Sequence, residues 1–547
     1  MNKCEKVKTV LRKIPKAVWI LACILIVGIF LRAYNFHDWL DFKGDQARDA
    51  ALVSDVIDAK SPWPLLGATM NGSASTTDGQ FRIGPMYYYF QIISAKLFGN
   101  YPDKLAYPDL IFSILSIPLC FIFLKKYFNR NLSLLLTGLY AISFFSVRFA
   151  HFAWNSNSIP FFTLLFLLAL HEFRIKKEQV SWVWVVMLGT ALGVGFQLHA
   201  ISMILFSAVC FYFLMLSIFE KTIVWKKWLV VLVVFVALNS GQIINEFENN
   251  FSNTKVFLRY FSGSNSANDQ QVSLLSAIGR DFDCHIEANF YIASSLGKDS
   301  CSLYAQEIFA KDKSRDFIKN SKDYFFGFSL MIGALFSLFG YGLLFYEYRK
   351  EKKFKNDGSI FISTIVIYIA ASFFVMVPVV KGDVEFRYFN IVFFVPLIFL
   401  GLFINYLDKY NSKLKIVLIS LIIGSIIASN AFKFFSLSND YHGKNGINSH
   451  QVVLGEIEPI AKYMLDNSLG SAGIYIGGDY DISAFVYTPL EYLIKRNGVS
   501  TTRFYGKITD SPHDTEKPVF YLSHKPSKID NVDYEKIGQV YVYYLNR

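Results

Sequence analysis

The feature that most constrains this chain is a series of apolar runs, most of which are long enough to cross a membrane as helices. The first occupies residues 17–31, and similar runs recur until residue 431. A helix needs about 20 mostly apolar residues to span the hydrocarbon core. Hydrophobic residues make up 53% of the 547 residues and charged residues only 18%, whereas soluble domains carry roughly a quarter charged residues. The sequence therefore predicts a polytopic α-helical membrane protein.

The positive charge of the chain is better explained by membrane orientation than by nucleic-acid binding. The net charge is +11, and the basic residues fall mostly in short loops between apolar runs. Such loops stay on the cytoplasmic side. The N-terminus is basic and no small-residue cleavage site follows the first run, so we expect an uncleaved first span with a cytoplasmic N-terminus. Applied to every loop, the rule gives about eleven spans within a membrane domain of residues 1–431.

The same rule places two large polar loops, residues 34–104 and 245–324, outside the cytoplasm. Residues 84–99 belong to the first loop and are apolar, but both of their ends must lie outside. We therefore expect an interfacial helix there, with its tyrosines at headgroup depth. The second loop contains Cys284 and Cys301. An oxidising compartment would allow them to form a disulfide, and the sequence leaves that question open.

Residues 432–547 are polar and are predicted to form a small α/β domain outside the cytoplasm. Apolar β-prone runs alternate there with helical patterns, which is typical of such a domain. The β-prone runs are residues 473–476, 519–522 and 540–544, and the helical patterns are residues 456–466 and 484–496. The domain does not show the glycine spacing of a phosphate or dinucleotide loop.

Polar and ionisable side chains gather in the outer loops, whereas the predicted spans are nearly free of charge. A transporter would be expected to carry ionisable residues or broken helices within its spans. The pattern instead favours an enzyme that acts at the outer surface on a lipid-linked substrate. A non-enzymatic transporter or scaffold for lipid-linked glycans is the alternative, and a scaffold would not depend on Asp45.

Several short motifs resemble the bacterial branch of the GT-C glycosyltransferases, which includes the protein O-mannosyltransferases and the lipid A aminoarabinose transferase. In chain order they are DQARDA at 45–50, GPMYYY at 84–89, RFAHFAWN at 148–155, QLH at 197–199 and EFRY at 385–388. The resemblance implies a bacterial cell-membrane enzyme that transfers a sugar from a polyprenyl-phosphate donor to an acceptor outside the cytoplasm. A ligase that moves a whole oligosaccharide would use the same chemistry.

The resemblance also assigns roles to individual residues. Asp45 aligns with the first-loop acid of these enzymes and is the candidate general base for an inverting in-line displacement. The structural alternative is that Asp45 only caps a helix predicted at residues 46–60. Because phosphate oxygens accept forked guanidinium hydrogen bonds, the candidates for the donor phosphate are three arginines and, more weakly, a histidine: Arg82, Arg148, Arg387 and His199.

Five further outer residues are candidates for positioning the acceptor or the sugar: Asp49, Tyr87, Trp154, Asn155 and Glu385. The two acids have an alternative as ion-pair partners of Arg48 and Arg387. The aromatic rings have an alternative as anchors in the membrane interface.

The second outer turn differs from that of many GT-C relatives, in which an acid helps to hold a metal or the acceptor. Here the turn reads Trp154-Asn155-Ser156-Asn157, and Asn155 is a poor sole partner for a divalent cation. A divalent metal is possible, and no other cofactor is indicated. The sequence leaves open the sugar, the lipid carrier and the acceptor, which can be a lipid, a protein or a cell-wall glycan.

Overall fold

The computed structural model describes residues 15–69, 80–262, 274–297, 300–301, 321–352, 356–379, 384–410, 413–439, 452–468, 470–505, 508, 511–512, 516–526 and 534–545. The first half of the chain forms helices almost throughout. They are α1 (Lys16–Ala33), α2 (Gly44–Ile57), α3 (Met86–Phe98), α4 (Pro102–Leu105), α5 (Tyr107–Leu124), α6 (Arg130–Ile142), α7 (Phe144–Arg148), α8 (Ile159–Lys176), α9 (Trp182–Leu198), α10 (Ala200–Phe219) and α11 (Trp225–Leu238).

The second half of the membrane domain continues with helices and one short ribbon. Its elements are α12 (Ser240–Glu248), α13 (Ser252–Ser262), α14 (Leu274–Ser294), β1 (Ser300–Cys301), α15 (Ser321–Glu351), α16 (Asp357–Met376), β2 (Val384–Glu385), α17 (Val395–Leu407) and α18 (Lys413–Asn439). Short 3-10 segments occupy Phe149–His151, Asn155–Ser158, Lys177–Gln179 and Phe386–Val392.

Seven helices among the described residues are long and apolar enough to cross a membrane, and the number rises to ten if each of three bent pairs is one span. The bends are 50° after α6, 63° between α11 and α12, and 56° before α17. α9 is a shorter apolar helix. The prediction of a polytopic helical membrane protein is confirmed, whereas the number eleven stays a prediction.

Local sequence signals explain where many of these helices begin. Asn129 caps α6 by accepting the Leu132 amide at 3.0 Å, and Asn356 caps α16 by accepting the Ser359 amide at 2.8 Å. Side-chain oxygens at this position satisfy amides that have no partner within the helix. α5, α8 and α17 each carry a proline in the first turn, where its fixed φ and missing N–H cost nothing.

The C-terminal region forms the expected α/β domain. It contains α19 (Leu454–Asp466), β3 (Gly473–Gly478), α20 (Tyr480–Arg496), β4 (Ser500–Arg503), β5 (Val519–Ser523), β6 (Tyr534–Ile537) and β7 (Val540–Tyr544). The strand order is β4-β3-β5-β7-β6. β3 is parallel to both β4 and β5, and β7 is antiparallel to β5 and β6.

The C-terminal domain packs directly on α2 and the segment before it. The Phe42 amide donates to the Val452 carbonyl at 2.8 Å, and the Leu454 amide donates to the Leu40 carbonyl at 2.9 Å. Phe42 and residues on the inner face of α2 share one hydrophobic core with α19, α20 and the sheet. α2 is therefore held between the membrane domain and the C-terminal domain.

A disulfide braces the second large loop, which answers the question that the sequence left open. Cys284 in α14 is bonded to Cys301 in β1. β1 pairs antiparallel with β2, and Ser300 lies opposite Glu385. The disulfide therefore ties the segment that leads into Arg387 to α14.

Candidate active site

The first candidate residue lies in the first turn of α2. The helix begins at Gly44, and the Lys43 amide donates to Oε1 of Gln46 at 3.2 Å. The helix expected at residues 46–60 is present as Gly44–Ile57, and the alternative in which Asp45 only caps it is wrong, because Asp45 lies inside the helix and Gln46 supplies the capping contact. Asp45 instead lies where the partial positive charge of the helix N-terminus favours a carboxylate.

Four residues form what we call the acid cluster: Asp45, Arg48, Asp49 and Tyr88. Arg48 bridges the two acids, since Nη1 lies 2.8 Å from Oδ1 of Asp45 and Nη2 lies 2.8 Å from Oδ1 of Asp49. The Tyr88 hydroxyl donates to the same Asp49 oxygen at 2.8 Å. The Asp45 side chain is 31% exposed, whereas Asp49 as a residue is 7% exposed. Asp45 is therefore the carboxylate that a substrate can reach.

Asp49 serves mainly to fix Arg48. Burial raises the pKa of Asp49, and the charge of Arg48 and the Tyr88 hydrogen bond act against that shift. A buried carboxylate needs such partners because desolvation penalises its charged form. The predicted pairing of Asp49 with Arg48 is present, with the carboxylate buried and the arginine side chain still 43% exposed.

The tyrosines of α3 do not form the interfacial belt that the sequence suggested. α3 is 13 residues long, which agrees with a helix too short to span. Tyr87 and Tyr88 are buried, and the Tyr87 hydroxyl donates to Oδ2 of Asp109 at 2.6 Å. These two rings therefore do not form the expected belt facing the lipid, because carboxylates from α5 and α2 give their hydroxyls partners inside the protein. Their depth in the membrane stays a prediction. The substrate role suggested for Tyr87 stays a prediction.

A second group, which we call the arginine cluster, consists of Trp154, His199, Glu385, Arg387 and Tyr388. The guanidinium carbon of Arg387 lies 4.6 Å from the centre of the Trp154 ring and 5.3 Å from that of Tyr388. Its Nε lies 3.2 Å from Oε2 of Glu385. Aromatic faces attract cations, so both rings and the acid hold the guanidinium in place.

The second outer turn is built around these contacts. The Trp154 ring packs on Arg387, and the Asn155 side-chain amide donates to the Leu198 carbonyl. Asn157 donates to the Phe152 carbonyl at 2.6 Å. The Asn155 side chain therefore links the turn to the end of α9, and the Asn157 side chain stabilises the turn from within.

His199 lies in the tight turn between α9 and α10. Its Nδ1 accepts the Ile201 amide at 3.2 Å and so caps α10. Burial lowers the pKa of His199 to about 4, and the positive charge of Arg387 acts in the same direction. Since the ordinary value is about 6.5, the ring is neutral near pH 7.

The two remaining arginine candidates lie apart from this cluster in sequence. Arg82 donates from Nε to the Gly67 carbonyl at 2.9 Å, and its backbone amide donates to Oδ1 of Asn253 at 2.8 Å. It lies close enough to Tyr88 to act electrostatically on that hydroxyl. Arg148 is the last residue of α7 and is half-buried. Their binding to phosphate stays a prediction.

Hydrogen bonds beside the acid cluster and the arginine cluster link the start of α2 to the second outer turn. The Gln46 side-chain amide donates to the Ala153 carbonyl at 3.2 Å, and the Asp41 amide donates to the His151 carbonyl at 3.0 Å. Asp45 directly precedes Gln46 in the chain, and Trp154 directly follows Ala153. The structure therefore brings an accessible carboxylate and an aromatic-stacked arginine to the same end of the bundle.

Sequence reasoning missed Asp109, whose carboxylate accepts hydrogen bonds from three donors, one in α3 and two in the second outer turn. Its only sequence signal is an acid in the first turn of a predicted span, which is typical of an ordinary helix N-terminus. Sequence reasoning also missed Gln46 as the link between the clusters. For a metal, the described residues contain no group of three or more His, Cys, Asp or Glu side chains that could hold an ion. The divalent metal that the sequence left open stays a prediction.

Comparison with known proteins supports the resemblance. Residues 83–239 match the family model described as dolichyl-phosphate-mannose-protein mannosyltransferase. This range includes α3 and the second outer turn but neither α2 nor Arg387. A search of curated proteins found no significant match.

Similar solved structures were also found. The oligosaccharyltransferase of Archaeoglobus fulgidus in the apo form has a TM-score of 0.49 and 13% identity, over 89% of this chain and 64% of that one. ArnT from Cupriavidus metallidurans bound to undecaprenyl phosphate has a TM-score of 0.40 and 11% identity, over 96% and 97% of the two chains. The Pmt1-Pmt2 complex of S. cerevisiae bound to the sugar donor has a TM-score of 0.30 and 13% identity, over 46% and 34%.

The chain spans less than two thirds of the oligosaccharyltransferase that it matches. The TM-scores are all below 0.5, so these likenesses carry no argument about function. The family match stands by itself: over residues 83–239 the chain is similar to the dolichyl-phosphate-mannose-protein mannosyltransferases.

Proposed function

We propose that this protein transfers a sugar from a polyprenyl-phosphate-linked donor to a hydroxyl group of an acceptor outside the cytoplasm. The observation that carries the proposal is the placement of Asp45 and Arg387 at one end of the bundle, joined through Gln46 and the turn that holds Trp154. The first supplies an accessible carboxylate and the second a fixed cation. An inverting displacement at a sugar phosphate needs one group of each kind.

Asp45 is the general base in this scheme. The acceptor oxygen attacks the anomeric carbon from the face opposite the phosphate, and its proton passes to the Asp45 carboxylate. The bond between the anomeric carbon and the phosphate oxygen breaks, and the polyprenyl phosphate leaves with that electron pair. The configuration at the sugar is inverted. Arg48 keeps Asp45 in one orientation and is itself held by Asp49, whose carboxylate accepts the Tyr88 hydroxyl.

Arg387 stabilises the charge that develops on the leaving phosphate. The Trp154 ring holds the guanidinium plane from one side, so its terminal N–H groups are ready to donate to phosphate oxygens. Its partner Glu385 has a side chain that is 58% exposed, compared with 21% for Arg387. Because the carboxylate of this pair is largely in solvent, the pair is weak and is readily exchanged for a phosphate. Arg82 and Arg148 are the secondary candidates for the same ligand.

His199 contributes as a neutral ring in this scheme. With a pKa of about 4, it does not supply a second positive charge at neutral pH. Its ring centre lies 5.3 Å from that of Tyr388, so it supports the aromatic side of the arginine cluster.

The experiment incubates the purified full chain in lipid nanodiscs with a panel of polyprenyl-phosphate sugars and with lipid, peptide and glycan acceptors. Transfer by the wild type with inversion at the anomeric carbon is expected for at least one pair. Asp45→Asn is expected to lower kcat by about 100-fold or more, since general-base catalysis contributes about 10²–10⁴-fold. The KM for the donor should change little.

Asp58→Asn is the matched control, because Asp58 follows the other end of α2 and pairs with Lys60 at the surface. It should leave kcat within about twofold, as surface substitutions usually do. A folded Asp45→Asn protein with full activity would remove Asp45 as the base. Failure of the wild type to transfer sugar from any donor in the panel would favour the scaffold alternative.

A further inference from the structure

Asp109 is a completely buried carboxylate that the proposed mechanism does not use. It lies in the first turn of α5 and is 0% exposed. Its Oδ2 accepts the Tyr87 hydroxyl at 2.6 Å and the Trp154 amide at 3.3 Å, and its Oδ1 accepts the Ser158 hydroxyl at 2.9 Å. Burying a carboxylate is costly unless such donors surround it. Three separate donors around one side chain therefore mark a junction between segments.

The three donors come from the two sides of the candidate active site. Tyr87 precedes Tyr88, whose hydroxyl belongs to the acid cluster. Trp154 and Ser158 lie at the two ends of the second outer turn, and the Trp154 ring packs on Arg387. Asp109 thus holds α3 and the second outer turn at fixed positions relative to each other.

We infer that Asp109 is a positioning residue for the donor phosphate: by holding the Trp154 backbone, it keeps the Trp154 ring against Arg387. The inference rests on the proposed function for the identity of the ligand. The Asp109 carboxylate reaches the second outer turn from α5. That carboxylate does not touch substrate, because it is completely enclosed.

The alternative is that Asp109 only stabilises the fold, and two substitutions separate the two roles. In Asp109→Asn the side-chain oxygen can take the place of Oδ2 and accept from Tyr87 and from the Trp154 amide. The side-chain NH₂ group then donates to Ser158, whose hydroxyl is free to rotate. This variant loses the charge and keeps the geometry. Asp109→Ala loses both and leaves the Trp154 amide without that acceptor.

The test compares the wild type, Asp109→Asn and Asp109→Ala as purified full chains, with undecaprenyl phosphate as the binding probe. We expect Asp109→Ala to weaken binding of the probe and to raise the donor KM by about tenfold, the loss of roughly one hydrogen-bonded contact. The acceptor KM should stay within about twofold, and Asp109→Asn should stay within about threefold of the wild type. A general loss of stability would not separate the donor KM from the acceptor KM in this way.

A double-mutant cycle with Trp154→Ala tests whether Asp109 acts through Trp154. If it does, the two substitutions together weaken probe binding no more than Trp154→Ala alone. Effects that multiply would overturn the inference. If Asp109→Ala does not fold, Asp109→Leu replaces it, because leucine branches at the same carbon as aspartate but offers no acceptor to the Trp154 amide. Unchanged probe binding in that protein would also overturn the inference.

Hydrogen exchange distinguishes failure of this inference from failure of the proposed function. Asp109→Ala is expected to speed amide exchange in a peptide covering residues 152–158, whereas Asp109→Asn is not. Unchanged exchange in the Ala variant would overturn the positioning role whether or not the protein is a transferase. Faster exchange in a protein that binds no undecaprenyl phosphate, even as wild type, would overturn the donor-phosphate assignment and with it the proposed function.

Discussion

The acid cluster and the arginine cluster are assembled in opposite ways. Asp45, Arg48 and Asp49 come from consecutive turns of one helix, and Arg48 reaches both acids across local spacings. The arginine cluster gathers Trp154, His199 and Arg387 from three distant parts of the chain. One cluster is a property of α2, and the other is a property of how the bundle packs.

This difference predicts that substitutions far from the site affect the two clusters to different extents. The acid cluster needs only α2 and the Tyr88 hydroxyl. The arginine cluster depends on supports that lie behind it, namely the Asp109 junction and the ribbon of β1 and β2, which the disulfide ties to α14. Distant substitutions should therefore disturb binding of the donor phosphate more readily than proton transfer at Asp45.

The largest effect is expected when the positive charge of Arg387 is removed from the arginine cluster. Arg387→Gln is expected to lower kcat by about 10²–10³-fold, the usual cost of losing one preorganised donor to a developing oxyanion, and to raise the donor KM. Arg387→Lys should fall between this variant and the wild type, because it keeps the charge but loses the planar group that stacks on Trp154. Steady-state kinetics with varied donor concentration measure both effects.

Arg174→Gln is the matched control for that substitution. Arg174 also carries a guanidinium close to an aromatic ring, that of Phe213, and pairs with an acid, Glu220. It lies near the end of α8 opposite the second outer turn. A kinetic effect equal to that of Arg387→Gln would show that loss of any such arginine disturbs the protein, and the arginine cluster would lose its assignment.

A smaller effect is expected at Asp49, and it depends on pH. Because burial raises its pKa, Asp49 takes up a proton at a higher pH than an ordinary aspartate, and the neutral acid holds Arg48 less firmly. Activity should therefore fall on the acid side of the profile above the ordinary aspartate range. Asp49→Asn should lower kcat by about tenfold or less and remove that acid limb. If activity in Asp49→Asn still fell at the same acidic pH as in the wild type, a group other than Asp49 would be responsible for that fall.

The same shift fixes the sign of the effect of Asp49 on stability. The folded-state pKa lies above the unfolded value of about 3.9, so the folded protein binds the proton more tightly. This contribution favours the folded state below the unfolded pKa and is lost as pH rises through the folded pKa. Melting temperatures of the wild type should therefore decline over that window more steeply than those of Asp49→Asn.

The smallest effect is expected at His199. Since its pKa is about 4, its protonation should not appear in the activity profile between pH 6 and 8. His199→Asn keeps a neutral cap for the Ile201 amide and should leave kcat and the donor KM within about twofold. His199→Ala removes the cap and should cost about 1 kcal/mol of stability. Loss of an inflection near pH 6.5 in the Asn variant would show that the ring titrates there.

Contacts between residues that are close in the chain could be predicted from the sequence. Contacts that depend on how helices pack against one another could not. The acids at 45 and 49 and the pair of Glu385 with Arg387 are separated by only a few residues, so helix or loop spacing indicates their contacts. The burial of Tyr87 and Tyr88 was predicted wrongly, because a tyrosine-rich apolar helix carries the same pattern whether its hydroxyls face headgroups or buried carboxylates. Only packing against α2 and α5 distinguishes the two cases.

The sequence by itself determined the membrane class, the α/β character of the C-terminal domain and the acid series of α2, because hydropathy and periodicity are local properties of the chain. The tertiary structure alone decided that Asp109 lies behind Trp154, that Arg387 packs on that ring, and that α20 packs against α2. Those contacts join residues far apart in the chain. Their geometry depends on how whole helices pack against one another, and it cannot be predicted from any short stretch of the sequence.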